Sequence, residues 1–296
     1  MSQWAFERLA LPDGAALRWA QWAAPADKGF VLLLPGRVEF IEKYSELADE
    51  WAARGFQALC LDWRGQGGSK TNPVSQIGHI NSFDDYIADL DVFWNAVWLP
   101  LVAGKKTAVL AHSTGAHLAL RFFGETGTQT DALIVTAPLV KVKTFGLPWT
   151  VSAFVTRIMA ALFPCAYALG QGEFRREAQL FDGNGLTHDE ARFAPWQDLR
   201  AAHPSLNTAG ASWGWVNAAM HSYPKLLAAL PRVNVPTLAF LTPDDPLIDG
   251  ASEESLPRLM PRCTALRLPG SHHEVLMERD EVREKVWAAL VEFLAL

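Results

Sequence analysis

Cysteine is scarce in this 296-residue chain, with only Cys60, Cys165 and Cys263, set far apart. An odd, scattered set is neither a disulfide framework nor a zinc-ligand pattern. Cys60 and Cys263 sit in apolar runs and are expected as buried thiols, and a reducing compartment suits them. A basic stripe is also missing. The formal net charge is −6, which argues against nucleic acid as a partner. The opening stretch, "MSQWAFERLALPDGAALRWA", lacks the basic start and apolar block of a secretory signal. The longest greasy region, residues 146–170, is interrupted by Arg157 and two prolines, so a transmembrane span is not expected. The expected setting is the cytoplasm, with peripheral contact at the inner face of the membrane left open to that region. Internal repeats and low-complexity tracts are absent. The glycines of "RGQGGS" match neither G-x-x-x-x-G-K-S/T nor G-x-G-x-x-G, which makes nucleotide binding a poor reading.

What is present is a core and a rhythm. Half of the residues are hydrophobic and 20% are charged, as in a globular protein with a substantial interior. Twelve tryptophans are expected mainly as core packing, with some free to line an apolar pocket. "FVLLLPG" (30–36) reads as a buried parallel strand closed by a Pro-Gly break. In the next segment Phe40, Tyr44, Leu47 and Trp51 recur at helical spacing, and Gly55 fits the stop. Residues 56–63 read as a strand. Residues 82–98 read as an amphipathic helix whose Ser82 and Asp85 resemble a capping box. A strand (107–113), a helix and another strand (131–138) follow. Repeated βα units imply an α/β fold, with a mostly parallel central sheet and helices on both faces. The rhythm breaks from about 140 to 222 and returns at 235–249, 263–274 and a final helix. The expected organisation is a core over 1–139 and 223–296 with an inserted cap over 140–222.

The stretch "VLAHSTGAHLA" (109–119) places Ser113 where an apolar strand gives way to a small-residue helix. Such a serine is either a helix N-cap or a nucleophile held out on a sharp turn. A nucleophile elbow needs small residues two before and two after the serine, and Ala111 and Gly115 meet that need. A serine nucleophile also needs a base and a carboxylate to orient it. An acid-bearing segment, "TPDDPLID", follows one late strand, and "SHHE" follows the next. Both stand where ligands bind, beyond the carboxyl ends of the strands. An oxyanion hole needs two N–H donors. The backbone of Thr114 supplies one, and the turn at Pro35-Gly36 aims that of Arg37 as the other.

"LLLPGRVEFIEKYSELADEWAARGFQALCLDWRGQGGS", "FDDYIADLDVFW", "LAHSTGAHLA", "APWQDLRAAHPSLNTAGASWGWVNAA", "DDPLID" and "GSHHEVLMERDEVREKV" resemble bacterial lysophospholipases. These are relatives of the monoacylglycerol lipases in the α/β-hydrolase superfamily. The likeness runs over most of residues 30–294 and is thinnest across 140–190. It implies the α/β-hydrolase fold and a catalytic triad of Ser113, Asp245 and His273, with Asp244, Asp249 and His272 as neighbours. It also implies that no metal or organic cofactor is used. The implied activity is ester hydrolysis on single-chain lipids, as a lysophospholipase first, with monoacylglycerol lipase or general carboxylesterase as alternatives. Two rivals remain: an aminopeptidase, for which Glu173, Glu177, Asp189 and Glu190 would have to hold an ammonium group, and a non-catalytic binding protein.

Other residues take plainer readings. His112 is expected buried beside the turn, and His117 along the helix, packed or meeting solvent. Arg37 is read as either a phosphate ligand or a salt-bridge partner. Asp62 and Arg64 are expected to organise their loop, and Arg175 and Arg176 are read as either a site for an anionic head group or a solvated face. The apolar run 146–163 is expected as a cap helix facing an acyl site. The expected partner is a small lipid ester, with peripheral membrane contact through the cap.

Overall fold

The computed structural model describes residues 3–295. In chain order the elements are β1 (Trp4–Ala10), β2 (Ala16–Trp22), β3 (Gly29–Leu34), α1 (Ser45–Ala52), β4 (Phe56–Leu61), α2 (Phe83–Phe93), α3 (Leu99–Val102), β5 (Lys106–His112) and α4 (Thr114–Thr126). They continue with β6 (Ala132–Thr136), α5 (Trp149–Leu162), α6 (Glu190–Ala202), α7 (Trp213–Ala229), β7 (Thr237–Leu241), α8 (Gly250–Glu253), α9 (Leu256–Leu259), β8 (Cys263–Arg267) and α10 (Asp280–Leu294). One eight-stranded sheet runs in the order β1-β2-β4-β3-β5-β6-β7-β8. Every pairing from β4 to β8 is parallel, while β2 pairs antiparallel with both β1 and β4.

Alternation along the strands builds a core on each face, because successive side chains point to opposite sides. Leu32, Leu34, Val109, Ala111, Leu133 and Val135 join one core with residues of α2, α4 and α7. Val31, Leu33, Ala108, Leu110 and Ile134 join the other with Leu47, Trp51, Val286 and Leu290 of α1 and α10. A sheet covered on both sides explains why β3 reads as an unbroken apolar run. Ten of the tryptophans are buried; Trp149 and Trp213 are not.

Several local expectations change. The N-terminal hairpin of β1 and β2 carries charges on its outer face, and its alternation is too short to stand out. Ser82 does not complete a capping box with Asp85. Its Oγ accepts the Asp84 N–H at 3.1 Å, while the Asp85 N–H bonds the Ser82 carbonyl. The helix read over 82–98 is α2 followed by a π-helical turn, Trp94–Trp98, that leads into α3. Cys60 is buried as expected, but Cys263 on the edge strand β8 is only half-buried.

The chain between β6 and β7 carries α5, α6 and α7, and α7 packs on both α4 and α5. Among the described residues no helix is long and apolar enough to cross a membrane.

Asp62 organises its loop. The carboxylate is fully buried and accepts Arg18 Nε at 2.6 Å, the Gly68 N–H at 2.6 Å and the Ile41 N–H at 3.0 Å. Burial raises its pKa to about 6, against the opposing charge of Arg18. Arg64 is held by Asp89 and Asp13. Asp62→Ala removes one member of a buried pair and is expected to cost about 3–5 kcal/mol in urea unfolding. Glu254→Ala, at the exposed Arg267–Glu254 pair, is expected to stay within about 1 kcal/mol. Equal losses for the two variants would contradict this role for Asp62.

Candidate active site

Ser113 is the single residue between β5 and α4, at φ 51° and ψ −115°. Side chains are rarely tolerated there, so neighbours must enforce it. The Ser113 N–H donates to the Thr136 carbonyl at 3.0 Å, and the Ser113 carbonyl accepts from the N–H groups of His117 and Leu139, each at 3.1 Å. A Cβ at Gly115 would lie 2.3 Å from the Leu34 carbonyl oxygen and 2.5 Å from that of Pro35. Ala111 is fully buried. The turn thus leaves room for nothing larger at position 115, and the strand before it is packed solid.

The distant segments converge here. His273 Nε2 stands 2.9 Å from Ser113 Oγ, and His273 Nδ1 stands 2.5 Å from Asp245 Oδ2. An ionised carboxylate only accepts, so Nδ1 carries the proton and Nε2 presents its lone pair to the hydroxyl. Asp245 also accepts the Leu247 N–H at 2.7 Å, the Ile248 N–H at 3.2 Å and the Thr242 hydroxyl at 3.2 Å. Burial alone would raise its pKa. The hydrogen bond and charge of His273, with those two N–H groups, outweigh burial and hold the carboxyl below its usual value. Asp244 instead accepts the Gly270 N–H, and Asp249 lies 3.8 Å from Lys141.

Thr114 opens α4, where a backbone N–H has no intrahelical acceptor. In the loop after β3, the Gly36 N–H goes to Glu39 at 2.5 Å and the Val38 N–H to Gln66 at 2.7 Å. The Arg37 N–H between them has no acceptor among the described residues. Arg37, Thr114, Ser113 and His273 all line one cavity of about 970 Å³. The Arg37 side chain forms no salt bridge with any described residue. It donates to the Ala209 carbonyl at 2.6 Å and lies over the Trp215 ring.

His112 is buried beside the turn as expected, its ring centroid 4.8 Å from that of His273. His117 takes the packed alternative. It meets no solvent, because its ring bonds the Leu139 carbonyl at 2.8 Å and Ser222 Oγ at 2.6 Å. Burial holds His112 down to about 3 and His117 down to about 4, so both are neutral at pH 7. His272 forms no hydrogen bond with Ser113 and stacks on His188, with centroids 3.7 Å apart. Arg176 pairs with exposed Asp198. Of the acids offered for an ammonium site, only Glu173 lines the cavity. Asp189 instead caps α6 and pairs with Arg192.

A buried cluster was not anticipated. Lys43 Nζ contacts both Glu39 and Glu274, the latter at 2.6 Å, and the Tyr44 hydroxyl donates to Glu39 at 2.6 Å. Glu39 therefore ties the loop bearing Arg37 to the segment bearing His273. Burial and the neighbouring Glu39 charge raise Glu274 to about 7, while Lys43 holds Glu39 low against its burial. The spacing of Glu39 and Lys43, four apart, was the available signal. Glu39, His112 and Glu274 have metal-ligand proximity, but the Lys43 ammonium already bridges the two carboxylates. In the second such group, of His188, His272 and Glu278, the Glu278 oxygens accept His188 Nδ1 and the His272 N–H.

The family model described as serine aminopeptidase S33 (Hydrolase_4) matches residues 25–280. The chain belongs to this family. Its fold is that of the α/β hydrolases, and it is a serine hydrolase. Lysophospholipase L2 of Escherichia coli strain K12 is 29% identical over 295 residues, covering 95% of this chain and 84% of that protein. Probable lysophospholipase L2 of Haemophilus influenzae is 26% identical over 273 residues, covering 91% and 84%. A soluble variant of monoglyceride lipase from Saccharomyces cerevisiae, solved with a substrate analogue, superposes with a TM-score of 0.75 at 18% identity, covering 100% of this chain and 97% of that one. The fold is shared with it.

The two adjacent histidines separate by geometry. His273→Ala is expected to lower nitrophenyl-ester turnover by at least about 1,000-fold, while His272→Ala keeps most of it. The reverse order in a steady-state assay would contradict the placement.

Proposed function

We propose that this serine hydrolase cleaves the carboxylic esters of single-chain lipids, as a lysophospholipase first, with Ser113, His273 and Asp245 as its triad. The observation that carries the reading is the Asp245–His273–Ser113 hydrogen-bond relay opening into a cavity with an apolar wall of Leu139, Val142, Val155, Met220 and Leu247. The E. coli and H. influenzae relatives, named as lysophospholipases, support it.

His273 Nε2 takes the Ser113 proton as Oγ attacks the acyl carbonyl, and Asp245 stabilises the imidazolium that results. The Arg37 and Thr114 N–H groups hold the oxyanion. Collapse expels the alcohol with the proton from His273, and water repeats the sequence to free the fatty acid. Each methylene buried along the apolar wall adds about 0.8 kcal/mol of binding. Residues 140–222 serve as the cap over this cavity.

The family description keeps aminopeptidase as the second reading. An ammonium site needs a free carboxylate held in the pocket; the buried cavity acids, Glu39 and Glu274, share Lys43, and Glu173 and Asp182 are exposed. In a panel of lysophosphatidylcholine, monoacylglycerol, nitrophenyl esters and aminoacyl amides, the lipid esters are expected to give the highest kcat/KM. Turnover confined to the amides would overturn the reading.

The cap also offers a lipid-facing helix. On α5, Ser152, Val155 and Thr156 line the cavity, while Phe154 and Leu162 are 65% and 64% exposed. We read this face as resting on the membrane surface that supplies the substrate. Phe154→Glu is expected to reduce sedimentation with phospholipid vesicles about ten-fold, by loss of apolar burial and gain of charge. Unchanged sedimentation would contradict it.

A further inference from the structure

The cavity has a second wall, and it is cationic. Arg37 comes from the loop after β3 and Arg200 from the C-terminal turn of α6, and both line the same space. They reach adjacent carbonyls of one segment: Arg37 Nη1 donates to Ala209 at 2.6 Å, and Arg200 Nη2 to Thr208 at 3.0 Å. The Arg200 guanidinium stacks 4.0 Å from the Phe174 ring centroid, and that of Arg37 5.3 Å from the Trp215 ring. Arg200 is 7% exposed. Its other contacts are neutral, Asn207 at 2.9 Å and Gln197 at 3.4 Å. No described carboxylate forms a salt bridge with either arginine.

A buried cation without a salt-bridge partner is costly, and two placed together repel each other. Burial lowers each guanidinium to about 10; the charge of Arg37 adds to the lowering of Arg200, and the charge of Glu39 opposes it in part. Of the acids lining the cavity, Glu39 and Glu274 are committed to Lys43, and Glu173 and Asp182 are exposed. The fully buried Gln197 also has a side-chain nitrogen, Nε2, with no hydrogen-bond partner among the described residues. A donor beside Arg200 is thus left without an acceptor.

We propose that Arg37 and Arg200 form the binding site for a phosphate carried on the alcohol side of the substrate, so that the preferred ester is a lysophospholipid rather than a neutral glyceride. This assignment rests on the ester-hydrolase reading above. Guanidinium forks match phosphate oxygens two at a time. The position fits as well as the charge. The backbone N–H of Arg37 faces the scissile carbonyl, and its guanidinium lies one arginine side chain away, about the length of the glycerol that separates ester from phosphate. The acyl chain takes the apolar wall from residues 139–156 and Leu247, built by different segments of the chain.

The test compares kcat/KM for palmitoyl glycerophosphocholine, palmitoyl glycerol phosphate and monopalmitoylglycerol within each protein, so that a general loss of folding or activity cancels in the ratio. The wild-type ratio is expected to favour the phosphate-bearing esters. Arg200→Met lowers that ratio by about ten-fold or more, the effect of one charge-assisted hydrogen bond, and Arg200→Lys restores part of it. Glycerol 3-phosphate inhibits the wild type competitively, more strongly than inorganic phosphate does, and inhibits Arg200→Met less. A ratio unchanged in both variants overturns the phosphate site and leaves the ester reading standing. Equal inhibition by inorganic phosphate and glycerol phosphate, with no preference among the esters, assigns the arginines to a free anion and also overturns it. Failure of the wild type to cleave any of the lipids overturns both.

Discussion

At Ser113 the chain holds a non-glycine residue at φ 51° and ψ −115°, a conformation that costs about 1–3 kcal/mol when unsupported. The sheet supplies the support. β6 gives the Thr136 carbonyl, the Ser113 carbonyl receives two N–H groups, and the carbonyls of Leu34 and Pro35 press against Gly115. That close approach sets β3 and its loop beside the start of α4. A Cβ at Gly36 would lie 3.2 Å from that of Ser113. The backbone that exposes the hydroxyl is thus the backbone that brings Arg37 next to Thr114.

Electrostatics then fix the parts that the sheet does not reach. His273 and Asp245 stand on loops after β8 and β7. Lys43 bridges Glu39 under the Arg37 loop and Glu274 next to His273, and Asp62 joins β4 to Ile41 and Gly68. Buried pairs of this kind add little net stability, but breaking one strands a charge. They act as positional constraints, holding His273 and the N–H groups of Arg37 and Thr114 in one frame. The neutral buried rings of His112 and His117 fill the space behind the serine without adding charge to it.

Much of this was legible in the residues. The apolar runs at 30–36 and 107–113, the small residues at 111 and 115, and the order of serine, acid and histidine each follow from a local rule of strand burial or turn geometry. The hairpin of β1 and β2 escaped because its outer face is polar and its alternation short. The Glu39–Lys43–Glu274 bridge escaped because its partners are far apart in sequence, and only the fold brings them together. Arg37 was read as either a phosphate ligand or a salt-bridge partner. The structure removes the salt bridge, and it adds Arg200, whose place in an α6 of weak apolar periodicity gave no sign of burial.

The central claim is that the Ser113 hydroxyl, and no other group, takes the acyl chain with His273 as its base. Acid-quenching the enzyme during turnover of a palmitoyl ester and mapping peptides by mass spectrometry tests it most directly. A palmitoyl adduct confined to the peptide holding Ser113, and absent in His273→Ala, is the expected result. An adduct on another side chain, or turnover that survives Ser113→Ala, would contradict it.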